Sequence, residues 1–209
     1  MIPVNVLAVW YLANASPALA KGLGAPADMP SLGLLTTDCD DATYIALDAA
    51  TKAADVQVSY GRSFYAGAAN ASTPYAGEVI GVLAGATPGA VRSGMEAALA
   101  ALERLGFHEI HGVPYLAHTV ASVGSFLAKE AGVPLGSAIA YLIAPPLEGM
   151  YAMDGALKAA DVKLCKLYTP PSETNFGGGL LSGTQSACEA ACAAFAAAVA
   201  EVAAKPIEG

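Results

Sequence analysis

An eleven-residue stretch of this chain occurs twice with little change. Residues 46–56 read ALDAATKAADV, and residues 152–162, placed 106 positions later, read AMDGALKAADV. Eight of the eleven aligned residues are identical, whereas an alanine-rich chain gives about one identity by chance in a single register. The sequence therefore predicts two copies of one folding unit. Two copies in one chain convert a symmetric ring of six units into a ring of three chains.

The last helix predicted in each half supports a full duplication. In both halves, five apolar residues recur at steps of four, three, four and three, which places their side chains on one helical face. They are Val91, Met95, Ala98, Leu102 and Leu105 in the first half, and Cys188, Cys192, Phe195, Val199 and Val202 in the second. The two helices are offset by 97 residues, nine fewer than the repeated stretches. We assign the nine additional residues of the first half to the segment 61–78, which predicts a long exposed loop.

Strand and helix signals alternate along both halves. Strands are predicted at residues 4–11, 32–36, 56–58 and 78–84. Helices are predicted to begin at Ser16, Asp40 and Thr87, and at Ser182 or Thr184 near the end of the chain. This alternation predicts an α/β fold in which each half is a sandwich of helices against a small sheet. We place the domain boundary after residue 108, which gives domains 1–108 and 109–209.

Composition narrows the class of protein. Only 13% of the 209 residues are charged and 55% are apolar, so we expect surface to be buried between subunits. The net charge of −8 argues against nucleic acid as a partner. We expect no membrane span, because the alanine run at 190–200 lies between Glu189 and Glu201. The apolar residues 4–20 imitate a signal peptide but lack a preceding Lys or Arg, so a cytosolic location is expected.

The cysteines and histidines do not predict a metal site. Cys188 and Cys192 have a spacing that suits a metal, but both lie in the apolar stripe, so we interpret them as core residues. His108 and His111 lie three residues apart in a predicted interdomain loop without a further ligand, so no metal is expected. The sequence contains no serine elbow, phosphate loop or dinucleotide fingerprint. We therefore expect no cofactor.

Carboxylates cluster at one predicted strand-to-helix turn. Asp38, Asp40 and Asp41 lie there, and the matching turn of the second half contains Glu148. One interpretation is helix capping by Asp40 or Asp41. The other is a site in which carboxylates hold a small cationic ligand without performing chemistry on it.

Several short motifs resemble the L-type shell protein of ethanolamine-utilisation bacterial microcompartments. They are SLGL (31–34), DDATY (40–44), YGRS with YAGA (60–68), AGEV (76–79), APPLE (144–148) and PSETN (171–175). They follow the same order over nearly the whole chain. The resemblance implies two tandem, circularly permuted shell domains, each a small antiparallel sheet flanked by helices. It also implies a homotrimer that imitates a hexagonal tile, assembles with other shell proteins in a cytoplasmic bacterial microcompartment, and has no enzymatic activity.

The resemblance further implies roles for individual residues. Lys52 and Lys158 would lie at the tile edges. The segments 62–76 and 171–184 would surround a central pore and gate it for metabolites or cofactors. Candidate pore and gate residues are Arg62, Tyr65, Tyr75, Phe176, Gly177 and Gly178. A small amine such as ethanolamine would contact Asp40, Phe107 and Glu148.

Two other functions stay open at this point. The protein could be a small-amine binding or sensor protein that builds no shell, using the carboxylate turns. It could also be an enzyme that uses His108, His111 and an aspartate.

Overall fold

A computed structural model describes residues 1–64, 77–170, 172 and 175–207. In chain order the elements are β1 (Ile2–Pro3), β2 (Val6–Leu12), α1 (Pro17–Gly22), β3 (Ser31–Thr37), α2 (Asp40–Ala53), β4 (Val56–Ser63), β5 (Val79–Gly85), α3 (Pro88–Leu102), β6 (Gly106–Ile110), β7 (Val113–Val120), α4 (Ser125–Ala131), β8 (Ala138–Ala144), α5 (Pro146–Ala159), β9 (Val162–Tyr168), β10 (Gly177–Gly183) and α6 (Gln185–Ala204). The mixture of helices and antiparallel sheets confirms the predicted fold class.

The residues group into two compact units. The N-terminal unit contains residues 3–106 and 124–127, and the C-terminal unit contains residues 1–2, 107–123 and 128–209. The order strand, helix, strand, helix, strand, strand, helix runs from β2 to α3 and again from β7 to α6. The predicted domain boundary at 108/109 stays a prediction.

The N-terminal unit is built on a four-stranded antiparallel sheet in the order β2-β3-β5-β4. One face packs on α2 and α3, where glycines allow close approach. A Cβ added at Gly33 would lie 2.8 Å from Val91 Cγ1, and one at Gly81 would lie 2.5 Å from Leu47 Cδ1. The other face buries Leu32, Val82 and Ala84 together with Ala20 of α1. Helices therefore cover both faces of this sheet.

The C-terminal unit is built on a six-stranded sheet in the order β1-β6-β7-β8-β10-β9. Its core combines alternate residues of β8 with α5 and α6, including Leu142, Met153, Cys188 and Phe195. Among the described residues, α6 is the one helix long and apolar enough to cross a membrane by length and composition. It nevertheless places Cys188 and Phe195, both fully buried, in this core. That packing is typical of a core helix.

The structure confirms the predicted stripes and the predicted threonine caps of α3 and α6. All five stripe residues of the first half are buried, and in the second half Cys188, Phe195 and Val199 are buried while Cys192 and Val202 are half-buried. The hydroxyl oxygen of Thr87 accepts the N–H of Ala90 at 3.2 Å. Thr184, rather than Ser182, caps α6 in the same way, because its hydroxyl oxygen accepts the N–H of Ala187 at 3.2 Å.

Three predicted loops are shorter in the structure. Strand β4 continues through Arg62 to Ser63, because it pairs with β5 as far as Val79. The histidine pair lies at the β6–β7 hairpin rather than in an interdomain loop, with His108 in β6 and His111 in its turn at a φ of 49°.

The third difference concerns the segment 171–184, in which residues 177–183 form strand β10 between β8 and β9. Its glycine triplet is buried in the sheet. A Cβ added at Gly178 would lie 1.9 Å from the carbonyl oxygen of Leu142. Close packing of neighbouring strands therefore explains these glycines, as at other positions where one backbone approaches another.

Candidate functional site

A cluster of carboxylates surrounds the start of α2 in the N-terminal unit. Asp40 and Asp41 form the first turn, and both are buried. The N-cap is Cys39, which makes no side-chain capping bond. Capping by Asp40 or Asp41 is therefore wrong: the Asp40 carboxylate accepts the N–H of the next residue, Asp41, at 2.9 Å.

Threonines hold this turn in place of an aspartate cap. The hydroxyl oxygen of Thr37 accepts the N–H of Cys39 at 3.1 Å, and the Thr43 hydroxyl donates to the Cys39 carbonyl at 2.7 Å. The two threonine hydroxyls lie 2.7 Å apart. Neutral hydroxyl groups, rather than an aspartate side chain at the N-cap, therefore stabilise this turn.

Glu78 joins the cluster from the start of β5. Its backbone N–H donates to the carbonyl of Thr37 at 2.8 Å, at the point where β3 pairs with β5. Burial, followed by the charges of Asp40 and Asp38, raises the pKa of Glu78 to about 7. Glu78 was not among the site residues expected from the sequence. Its signal there was a carboxylate at the first position of a predicted strand.

The pKa of Asp40 is also raised, chiefly because burial disfavours its charged form. A hydrogen bond from Ser63 opposes that rise. Burial, and then the charge of Asp41, raises the pKa of the Cys39 thiol as well, so this cysteine stays protonated at neutral pH. A nucleophile needs the thiolate, so Cys39 is unsuited to that role. A cation would stabilise the ionised form of these carboxylates.

The other two predicted amine contacts lie in the C-terminal unit. Phe107 is half-buried in β6, and its ring centroid lies 5.8 Å from that of Phe176. Glu148 is half-buried in the first turn of α5. Their joint action with Asp40 stays a prediction.

The predicted pore and gate residues are only partly described. Arg62 is exposed near the end of β4, Phe176 precedes β10, and Gly177 and Gly178 are buried in β10. Tyr65 and Tyr75 lie outside the described residues. Their role at a pore stays a prediction.

The predicted tile-edge lysines each pair with the aspartate one turn earlier. Lys52 Nζ lies 3.4 Å from Asp48, and Lys158 Nζ lies 2.5 Å from Asp154. Side-chain exposure is 38% for Lys52 and 74% for Lys158. Both lysines therefore reach the surface in the last turn of α2 and α5 respectively.

In the described part of the chain, no three His, Cys, Asp or Glu side chains come together as a metal site would require. The ring centroid of His108 lies 5.6 Å from that of Tyr115 on the paired strand. His108 therefore packs on the neighbouring strand of the hairpin.

Comparison with known proteins decides the family. The family model described as "BMC domain" matches residues 31–115. Over 99% of its length, the chain is 56% identical to the bacterial microcompartment shell protein EutL of Clostridium perfringens, of which it covers 97%. The protein belongs to the EutL family of bacterial microcompartment shell proteins. It is also 47% identical to EutL of Escherichia coli, with 100% of this chain and 97% of that protein covered.

Solved structures agree with the EutL assignment. The crystal structure of the ethanolamine utilization protein EutL from Leptotrichia buccalis has a TM-score of 0.96 and 56% identity, with 100% of this chain and 98% of that chain covered. The trimeric shell protein PduB shares the fold, with a TM-score of 0.80 at 18% identity and with 96% of this chain and 89% of that chain covered. EutL-family membership confirms the predictions of a structural shell protein rather than an enzyme and of a bacterial microcompartment as its location.

Proposed function

We propose that this protein forms homotrimers that act as pseudohexagonal tiles in the shell of an ethanolamine-type microcompartment. The observation that carries the proposal is the repeated order of seven elements along an EutL-family chain. Three chains supply six similar units, which can close around one axis and present six similar edges. The low content of charged residues, 13%, fits a chain that buries surface between subunits.

Light scattering tests the oligomer. The expected molar mass is three times the 20.9 kDa of one chain. Electron microscopy of the concentrated protein should show flat sheets or rounded assemblies. A stable monomer at micromolar concentration contradicts the trimer, and a trimer that never associates favours a sensor over a shell tile.

The central pore is proposed to open and close through the segments 62–76 and 171–184, excluding the residues that pair in β4 and β10. The connection from β4 to β5 contains residues 64–78, whereas the matching connection from β9 to β10 contains only residues 169–176. An insertion in one copy alone breaks the internal symmetry, which is a common way to add function to a scaffold. Crystals grown with and without candidate ligands test the gate. Two conformations of these segments are expected, and one fixed conformation in every condition contradicts gating.

A small amine such as ethanolamine is proposed to bind at the carboxylates around Asp40, with Phe107 and Glu148 as further contacts. Glu78 supports this assignment, because burial, and then the opposition of the Asp40 and Asp38 charges, raises its pKa to about 7. An ammonium group would relieve that opposition. Calorimetry with ethanolamine tests binding. No heat at millimolar amine, or binding unaffected by Asp40→Asn with Glu148→Gln, contradicts the site.

A further inference from the structure

Tyr44 lies one turn after Asp40 on α2, so the two side chains share one face of the helix. On the neighbouring strand β4, the hydroxyl oxygen of Ser63 lies 2.5 Å from the hydroxyl oxygen of Tyr44. Ser63 also hydrogen-bonds the Asp40 carboxyl. The three side chains therefore form one continuous hydrogen-bonded chain within the N-terminal unit.

The direction of each bond in this chain follows from the number of protons available. An ionised carboxylate can only accept, so Ser63 is the donor to Asp40. A serine hydroxyl has a single proton, which this bond uses, so its oxygen accepts from the Tyr44 hydroxyl. The chain thus runs from Tyr44 through Ser63 to Asp40. Each donor polarises the next one, so loss of the first hydroxyl weakens the last bond.

Packing holds the Tyr44 ring where this bond needs it. The ring centroid lies 5.8 Å from that of Phe126. A Cβ added at Gly61 of β4 would lie 3.2 Å from Tyr44 Cε1 and 3.8 Å from Phe126 Cζ. All three residues belong to the same compact unit. The tyrosine ring therefore occupies space that β4 leaves open at a glycine, and a side chain at position 61 would crowd both rings.

The second half of the chain has neither the aspartate nor the tyrosine. At the 106-residue offset, Pro146 takes the place of Asp40. Met150 takes the place of Tyr44. The two helices nevertheless have the same length of 14 residues, so the helix forms without a tyrosine hydroxyl at this position. The hydroxyl occurs in the copy that has the aspartate, which favours a role at that carboxyl over a role in the fold.

We propose that Tyr44 is a positioning residue of the amine site, which acts through Ser63 to hold the Asp40 carboxylate as the acceptor for the ammonium group. Asp40 Oδ1 also accepts the N–H of Asp41 at 2.9 Å, so two donors orient this carboxylate. Each carboxylate oxygen can accept more than one hydrogen bond, so acceptor positions remain for the ligand. The inference rests on the proposed amine site and adds a residue that needs no contact with the ligand.

The groups around Asp40 make the support of the relay necessary. They are all acids: the carboxyls of Asp38, Asp41 and Glu78 and the thiol of Cys39. Arg62 alternates with Ser63 along β4 and so lies on the opposite face of the sheet. Burial raises the pKa of Asp40, and the bond from Ser63 opposes that rise. Without the tyrosine hydroxyl this opposition weakens, and the pKa of Asp40 rises further.

Calorimetric titrations with ethanolamine at pH 6 and pH 8 test the tyrosine hydroxyl. Tyr44→Phe keeps the ring against Phe126 and removes only the hydroxyl. Its affinity should fall about fivefold at pH 6, where more of Asp40 is protonated, and by no more than about twofold at pH 8. A purely structural role would instead lower the affinity by the same factor at both pH values.

Tyr60→Phe is the matched control. Tyr60 lies on β4 directly before Gly61, but its ring packs on the hydrophobic cluster at the other face of the sheet. Loss of its hydroxyl should therefore leave the affinity unchanged at both pH values. Circular dichroism verifies that each variant folds.

Two further variants test whether Tyr44 acts through Ser63. The double variant Tyr44→Phe with Ser63→Ala should bind no more weakly than Ser63→Ala alone, because the relay is already broken at the serine. Phe126→Leu removes the ring contact that holds the tyrosine and should show the same pH-dependent loss as Tyr44→Phe.

The outcomes separate this role from the site itself. A loss that is confined to low pH and absent from the Ser63→Ala background supports the positioning role. Losses that add in the double variant, or that are equal at both pH values, overturn the positioning role and leave the amine site standing. A wild type that binds no ethanolamine at millimolar concentration overturns both.

Discussion

The hydroxyl oxygens of Tyr44 on α2 and Ser63 at the end of β4 lie 2.5 Å apart. Ser63 also hydrogen-bonds Asp40 and thereby opposes the rise in the pKa of that carboxyl. The pair links the first turns of α2 to the end of β4, immediately before the insertion. A change in either hydroxyl therefore acts on the charge of the proposed amine site.

Replacing Ser63 with alanine should weaken ethanolamine binding by about tenfold, because a hydrogen bond to a charged group contributes roughly 1.5–3 kcal/mol. Without this bond the pKa of Asp40 rises further, and less carboxylate is present to hold the ammonium group. Isothermal titration calorimetry at pH 7 measures the change. Ser59→Ala in the same strand is the matched control, because the Ser59 hydroxyl donates to the carbonyl of Val82, at 3.5 Å, rather than to a carboxylate. Equal affinities of the two variants would show that Ser63 does not act on the site.

Glu78 should make the protein less stable as pH rises from about 4.5 to about 7. The ordinary pKa of a glutamate, 4.5, applies to the unfolded chain, whereas the pKa of Glu78 in the folded chain is about 7. Between these values the folded state binds more protons than the unfolded state, so the free energy of unfolding falls as pH rises and those protons are lost. Thermal unfolding between pH 4 and pH 8 measures this slope. Glu78→Gln should flatten it and raise the melting temperature mainly at pH 7 and above. A variant with the wild-type slope would contradict the raised pKa.

The same group predicts that amine binding strengthens as pH rises through 7. Over this interval Glu78 becomes ionised, whereas an alkylammonium, like lysine, keeps its proton until about pH 10. Calorimetric titrations at pH 6 and pH 8 should therefore show tighter binding at the higher value. In Glu78→Gln the difference should largely vanish. Affinity that is independent of pH in the wild type would exclude Glu78 from the site.

Gly178→Ala should destabilise the protein by about 2–4 kcal/mol, because the added Cβ meets backbone that cannot move aside cheaply. That Cβ would lie 1.9 Å from the carbonyl oxygen of Leu142. Gly22→Ala is the control, since nothing lies within 4 Å of its added Cβ. Urea unfolding compares the two variants. Equal stability would mean that Gly178 is free to move, as a gate residue would be.

Replacing both Lys52 and Lys158 with alanine should leave the trimer intact and abolish sheets. Both lysines are exposed at matching ends of α2 and α5, and their loss removes paired charges from all six proposed edges. Light scattering checks the trimer and electron microscopy checks the sheets. Alanine at Lys129 and Lys163, two other exposed lysines, removes the same charge and should leave the sheets unchanged. Sheets that persist without Lys52 and Lys158 would refute the edge role.

Local pattern was sufficient for the elements and their faces. The stripe from Val91 to Leu105 predicted a buried helix face, and the structure buries all five residues. Thr87 and Thr184 could be recognised as caps from the sequence, because each accepts a hydrogen bond from the N–H of the residue three positions later. Such features depend on short-range geometry that neighbouring residues impose on one another.

The site could be predicted only in part, because strand register brings distant residues together. Asp40 was recognised from its neighbours in sequence, but Glu78 reaches it through the pairing of Thr37 with Val79. The glycines of β10 show the same limit. In sequence they resemble a flexible loop, whereas the approach of the Leu142 backbone makes Gly178 necessary in a strand.

Asp48 and Asp154 separate what the sequence determines from what only the tertiary structure determines. Their surroundings in sequence are nearly identical, and both lie on helices as the repeat predicts. Sequence alone therefore determined the duplication, the helix and the lysine that follows each aspartate one turn later. Only the fold decided that Asp48 is buried beneath the N–H groups of Gly124 and Leu127 while Asp154 stays exposed. The reason is that burial depends on which distant segment packs against a helix, and a local repeat carries no information about that partner.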